Sequence, residues 1–257
     1  MSLSASMVLI AALACDAAQA AGSLLLIEAP PPVATFAVGS SMWALPAYPG
    51  SRRERWTLLP GLDWYAPSGL FASTDLGLGW NLSRRRDLQA GLRLWPDLGR
   101  GGRDLPRGIN AVGPRLQVEG FFNYQLLPVL LLQSGASFGA GRDRDGAQLE
   151  LGATSGLPIG NDLLGIGLAA TLANRAYRQS TAGVSPGESQ ASGLAAWQVS
   201  GGWHDVSLTL SFEHKFDGQW RLDAQWIAAC FLGDTAHSPL VKSRRQDTVT
   251  MTLWYAF

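Results

Sequence analysis

Thr248-Val249-Thr250-Met251-Thr252-Leu253-Trp254-Tyr255-Ala256-Phe257 closes the chain, and its alternation decides the fold class. Val249, Met251, Leu253, Tyr255 and Phe257 fall on one face, and three threonines, Trp254 and Ala256 on the other. A period of two belongs to a β-strand and not to a helix. One amphipathic strand could equally edge a soluble sheet, so the upstream sequence has to decide. Val206, Leu208, Leu210 and Phe212 alternate with Ser207, Thr209, Ser211 and Glu213. Trp220, Leu222, Ala224 and Trp226 alternate with Arg221, Asp223, Gln225 and Ile227, and Asp217-Gly218 between the two runs is a hairpin signal. Leu116, Val118, Gly120, Phe122 and Tyr124 alternate in the same way with Arg115, Gln117, Glu119, Phe121 and Asn123.

The polar face carries ionisable groups, and these separate two all-β architectures. In a sandwich both inner faces are apolar, so the charges would have to face solvent. In a transmembrane barrel they line the lumen while the apolar face meets lipid. The candidate lumen charges are Arg115, Glu119, Glu150, Glu213, Lys215, Arg221 and Asp223, with Asp63 and Asp75 on the same face. Trp56, Trp64, Trp80, Trp220 and Tyr255 near strand ends suit interfacial girdles.

Composition agrees with a barrel. Hydrophobic residues make up 47% and charged residues 16% of the 257, yet no apolar run approaches the roughly eighteen needed for a spanning helix. Mean hydropathy is only +0.07, as expected where lipid meets every second side chain. A net charge of zero argues against a nucleic-acid partner. Basic character is local, in Arg52, Arg53, Arg84, Arg85, Arg86, Arg244 and Arg245, where lipopolysaccharide phosphates would be natural neighbours.

The expected fold is an antiparallel transmembrane β-barrel of 10–12 strands in the Gram-negative outer membrane, surrounded by its lipid. Eleven strand candidates can be read, at 33–44, 55–66, 70–83, 88–94, 115–126, 129–139, 147–156, 163–173, 197–216, 220–232 and 247–257. An odd count conflicts with single-chain bacterial barrels. Counting back from a periplasmic C-terminus puts connections 95–114, 140–146, 174–196 and 233–246 outside and confines the conflict to residues 33–94. Either 33–44 is not a membrane strand, giving ten, or a break is misread, giving twelve. The 197–216 segment is a candidate for that break, since its register flips near Asp205 as a β-bulge would require.

Residues 1–20 read as a signal peptide. A nine-residue apolar run, Met7 to Cys15, precedes an Ala18-x-Ala20 site with cleavage before Ala21, although no Lys or Arg occurs before Arg52. Lipidation of Cys15 after Ala12-Leu13-Ala14 is the competing reading. The barrel is then a single domain over 21–257, with Cys230 left without a disulfide partner.

No chemistry-bearing constellation stands out, and the expectation is neither an enzyme nor a cofactor binder. His204, His214 and His237 adjoin Asp205, Glu213 and Ser238, but neighbours on a strand point to opposite faces, so no pair forms a dyad. Three scattered histidines show no metal-ligand spacing. A lumen of ten to twelve strands is narrow, and its charges could either conduct small solutes or close it by pairing.

Several ordered pieces resemble the MipA/OmpV family, named for the MltA-interacting protein. They are Pro46-Ala47-Tyr48-Pro49-Gly50-Ser51; Leu59-Pro60 leading to Asp63-Trp64-Tyr65; Gly77-Leu78-Gly79-Trp80-Asn81-Leu82; Tyr177-Arg178-Gln179-Ser180 with Gly183-Val184-Ser185; Ser192-Gly193-Leu194; and residues 232–241. Thr181-Ala182 and His237 depart from the family pattern. The resemblance implies an outer-membrane scaffold that joins a lytic transglycosylase to a bifunctional penicillin-binding protein in peptidoglycan remodelling. A narrow solute channel is the alternative, and an adhesin or a lipid-modifying barrel enzyme are further ones. Leu253, Tyr255 and the terminal Phe257 resemble the signal read by the outer-membrane assembly machinery.

Overall fold

The computed structural model describes residues 29–97, 99–101, 104–216 and 218–257. The cleavage residues Ala18, Ala20 and Ala21, and Cys15, lie outside them. Twelve strands follow one another: β1 (Thr35–Pro46), β2 (Glu54–Tyr65), β3 (Leu70–Ser73), β4 (Gly77–Asn81), β5 (Leu88–Asp97), β6 (Arg115–Leu127), β7 (Leu130–Ala140), β8 (Gly146–Ile159), β9 (Asp162–Ala173), β10 (Gly202–Lys215), β11 (Trp220–Phe231) and β12 (Arg245–Ala256). Each pairs antiparallel with its neighbour, and β1 pairs with β12 to close the barrel.

Of the two readings of strand number, twelve is correct. The segment 33–44 forms β1, and the break falls inside 70–83. There the Ser73 hydroxyl accepts the N–H groups of Asp75 at 3.1 Å and Leu76 at 3.2 Å, and Gly77 follows with φ +83°. A serine side chain bonding the backbone just ahead of it turns the chain at small cost. The suspected break at 197–216 is instead one strand beginning at Gly202, with a bulge between Trp203 and Asp205. Trp197 lies outside it, bridged to Val184.

The connections at the end shared with the C-terminus are short, whereas those over 98–114, 174–201 and 232–244 at the far end are long. Three helices fold within the long ones: α1 (Arg175–Ala182), α2 (Pro186–Ser192) and α3 (Gly233–Ala236). The apolar face of the strands points outward, where Leu58, Leu92, Leu116, Phe138, Ile166 and Leu168 are exposed. Several inward-facing residues are buried, among them Gln117 at 3%, Gln133 at 3%, Ile227 at 1% and Trp254 at 2% exposure. These side chains are packed inside the closed sheet.

Candidate functional site: a packed lumen under a cross-linked cap

Aromatic side chains lying over cross-strand glycines fill the middle of the lumen. Trp254 pairs across the ladder with Gly39, and Gly39 with Gly61. A Cβ at either glycine would meet the Trp254 ring at 2.8 Å, so only glycine leaves room for the indole. Phe121 lies over Gly91 in the same manner, and Phe71 over Gly79. Phe71 and Phe121 pack with Leu76 and Tyr65 into an apolar knot inside the barrel. Such aromatic–glycine pairs cover bare backbone and pin strand register.

Charges thread around this packing in pairs. Arg93 Nη2 bonds Glu119 Oε1 at 2.7 Å with both side chains nearly buried, and the two residues are direct cross-strand partners. Arg221 bonds Asp223 at 3.0 Å and approaches Asp63 at 4.0 Å. Glu213 and Lys215 pair at 3.1 Å at the C-terminal rim, and Glu150 is half-buried within the wall of β8. Arg115 sits instead at the opposite rim, where its guanidinium donates to the carbonyls of Pro114 and Arg142.

The far mouth is closed by a cap whose keystone is Glu188. Ser185 caps α2 through a reciprocal box, its hydroxyl accepting from the Glu188 N–H while the Glu188 carboxylate accepts from the Ser185 N–H at 2.8 Å. Pro186 at the first helical turn and Gly193 in the left-handed conformation bound this short helix. The carboxylate also accepts from Arg100 Nη2 at 2.9 Å and from the Asn110 N–H at 3.0 Å, and Arg142 lies at 3.4 Å. Burial alone would raise the Glu188 pKa, but the Ser185 and Asn110 hydrogen bonds and the Arg100 charge outweigh it and pull the carboxyl down to about 2. One carboxylate therefore ties the β5–β6 connection, the β7–β8 connection and α2 together. Beneath it Ala47, Tyr48, Ile109, Val184 and Leu240 form an apolar core.

A second tie crosses from α1 to α3. Arg178, 3% exposed, donates to Ser200 O at 2.6 Å, Leu232 O at 3.2 Å and Thr235 Oγ1 at 3.1 Å. Thr235 Oγ1 stands 3.4 Å from His204 Nδ1, and His204 Nε2 stands 3.8 Å from Asp205 Oδ2. Strict alternation would send His204 and Asp205 to opposite faces. The bulge removes that constraint and turns both inward. The pair is sealed beneath the cap at 0% and 1% exposure, out of reach of a substrate in lipid or water.

Outside the cap, Arg52, His237, Lys242 and Arg244 line an open cavity of about 560 Å³ together with Ser238 and Val241. Arg52 and Arg244 are held by the carbonyls of Lys242 and Ala236, which fixes a cationic surface on that rim.

Over residues 38–257 the sequence matches the family described as MltA-interacting protein MipA. The chain belongs to the MipA family. No curated protein matches the chain. Among solved structures it is similar to the COG4313 outer membrane channel from Pseudomonas putida F1, with 11% identity, a TM-score of 0.48, and coverage of 90% of this chain and 97% of that one. It is also similar to the NanC porin, with 5% identity, a TM-score of 0.41 and coverage of 86% and 98%. For the P. putida toluene transporter TodX the values are 12%, 0.30, and 94% and 97%.

In this MipA-family barrel the pieces 46–51, 177–185, 192–194 and 232–241 meet at the cap, although they lie far apart in sequence, whereas 59–65 and 77–82 lie in β2 and β4 of the wall. The Gly50 N–H donates to Gln246 Oε1 at 2.8 Å, and the Lys242 N–H to Gly50 O at 2.7 Å. Ser238 Oγ donates to Ala182 O at 2.5 Å, and Tyr48 packs with Val184 and Leu240. Arg93, Arg100, Glu188 and Trp254 were not singled out from sequence. The Ser185-Pro186-Gly187-Glu188 spacing was a readable capping signal, whereas nothing local marked Arg100 as its partner. At the other end Leu253 and Phe257 face outward, and Phe257 touches Phe36 and Tyr255.

Proposed function

We propose that this chain is a Gram-negative outer-membrane scaffold that holds a lytic transglycosylase, and with it a bifunctional penicillin-binding protein, during peptidoglycan remodelling. The packed lumen carries this reading. A barrel whose interior is filled by Trp254, Phe121, Phe71 and paired charges, under a cap fixed by Glu188, leaves its surfaces as the working parts. The family description supplies the partner class, since it names an interaction with MltA. The Phe257 terminus suits delivery by the outer-membrane assembly machinery, after export directed by residues 1–20. The Arg52, Lys242 and Arg244 rim suits lipopolysaccharide phosphates, because guanidinium and ammonium groups bond phosphate oxygens strongly.

Affinity capture tests the scaffold. The detergent-solubilised, immobilised protein should retain a lytic transglycosylase and a murein synthase from an outer-membrane extract, and retention of neither overturns the reading. Planar-bilayer recording tests the packed lumen. The protein should give no steady ohmic conductance, whereas conductance that shifts on charge reversal at Glu119 or Arg221 would assign it a channel.

A further inference from the structure

The barrel closes where β1 meets β12, and two connections fold over the far end of that seam. Residues 47–53 join β1 to β2, and residues 232–244 join β11 to β12. Backbone fastens one to the other. Gly50 O accepts the N–H groups of Lys242 at 2.7 Å and Ser243 at 3.0 Å, and the Gly50 N–H donates to Gln246 Oε1 of β12. Gly50 has φ +91°, and a Cβ there would meet the Val241 backbone at 2.8 Å, so only glycine allows this approach. Ser238, 3% exposed, anchors the second connection on the cap through its bond to Ala182 O. The cavity of about 560 Å³ lined by these connections therefore has fixed walls.

Its chemistry is one-sided. Arg52, Lys242 and Arg244 line it with His237, Ser238 and Ser243, and none of the described lining residues is acidic. The neighbouring carboxylates are already engaged, Asp104 with Arg53, Asp247 with Arg245, and Asp234 with the N–H and hydroxyl of Ser200. Arg52 Nε donates to Lys242 O at 2.7 Å, Arg244 Nε to Ala236 O at 3.1 Å, and Lys242 Nζ to Pro239 O at 2.7 Å. Among the described residues these side chains make no further hydrogen bond, so the Nη groups of both guanidiniums and the rest of the ammonium are left for a ligand. His237 Nδ1 stands 2.8 Å from Gly233 O; a carbonyl only accepts, so Nδ1 carries the proton and Nε2 is left over.

The three positive charges that share this cavity repel one another, and a bound anion removes that repulsion. A carboxylate presents two oxygens in one plane. A phosphomonoester presents three in a tetrahedral array at a charge of about −2, which suits two guanidinium forks and an ammonium supplied by separate connections. A cavity of this size also has room for a sugar beside the phosphate.

We propose that this cavity binds a phosphomonoester, with Arg52 and Arg244 clamping its oxygens from the two connections, and that the bound group latches the seam between β1 and β12. The proposal rests on the reading of this rim given above and not on the protein partners. The phosphate belongs either to a sugar phosphate in solution or to the glycolipid of the surrounding leaflet, which present the same group.

The test titrates the full chain, folded in dodecylmaltoside micelles, with glucose 6-phosphate and with glucose by calorimetry. Saturable binding of the phosphate and none of glucose is expected. Arg52→Gln and Arg244→Gln should each weaken binding about tenfold, because each removes charge-assisted hydrogen bonds. Arg86→Gln, in the exposed β4–β5 connection, should leave it unchanged and serves as the control for net charge. Each variant is first shown to keep the heat-modifiable folded band. Ligand should slow amide exchange in residues 47–53 and 232–244 of the wild type and not of the two cavity variants. Lipopolysaccharide that displaces glucose 6-phosphate, where its dephosphorylated form does not, assigns the glycolipid as the source; glucose 6-phosphate binding that lipopolysaccharide leaves intact assigns the soluble one. Absence of saturable binding, equal binding of glucose, or undiminished binding in both folded variants overturns the site, and binding without slower exchange overturns the latch. Affinity capture of the murein enzymes does not require this cavity, so the two readings fail separately.

Discussion

Replacing Glu188 with glutamine tests the cap where its argument is most quantitative. The side chain keeps its shape and one acceptor but loses the charge that Arg100 and the Ser185 and Asn110 N–H groups converge on. Moving a carboxyl from 4.5 to about 2 corresponds to roughly 3 kcal/mol, at about 1.4 kcal/mol per pH unit. Arg142, the third cation, is 43% exposed and admits solvent to one side, so a figure of about 2 kcal/mol is the sounder expectation. That raises the open population of the cap about thirtyfold. Amide hydrogen exchange reads this directly, because exchange of protected amides follows local opening. Residues 104–113 and 185–193 should exchange about thirtyfold faster in Glu188→Gln at neutral pH, with β7–β11 unchanged. The pKa is depressed in the folded state, so the stabilisation is complete above about pH 4.5 and disappears as pH falls through about 2. Peptic cleavage of the cap should therefore become equal in the two proteins at the acid end. Wild-type exchange rates in both segments of the variant at neutral pH would refute the keystone role.

Trp254→Ala removes the most deeply buried tryptophan of the lumen and should lower stability by about 3–5 kcal/mol in urea unfolding, because rigid strands cannot collapse onto Gly39 and Gly61. An unchanged midpoint would mean that the indole does not fill the interior. Breaking the Arg93–Glu119 pair on one side, as in Glu119→Leu, should cost about 3–5 kcal/mol, while the apolar double replacement Arg93→Met with Glu119→Leu should be near neutral. Equal losses for the single and double variants would argue against an interdependent pair. Removing Phe257 should slow insertion in cells, read as loss of the heat-modifiable folded band from outer-membrane fractions, without changing refolding into detergent. Wild-type amounts of folded protein would remove the assembly role from that residue.

The wall of the barrel was legible in the sequence because it is built from a local rule. A period of two around Leu116–Phe122, Val206–Phe212 and Val249–Phe257 states which side chain meets lipid and which meets the interior, whatever strand lies alongside. The same rule misled where the backbone broke it. Ser73 turned one apparent strand into two, and the bulge after Trp203 put adjacent His204 and Asp205 on one side. Each depends on a hydrogen bond or register shift that alternation does not record.

The interior and the cap were decided by tertiary structure alone. Trp254, Gly39 and Gly61 are ordinary strand residues until closure of β1 onto β12 lays one against the others. Arg100 and Glu188 stand 88 residues apart, and neither becomes a partner until the connections fold over the mouth. Sequence by itself determined that this chain is a transmembrane barrel with a charged inner face, since strand periodicity is encoded residue by residue. Only the closed fold decided that this face is packed and capped, because those properties arise between strands and connections that lie far apart in the chain.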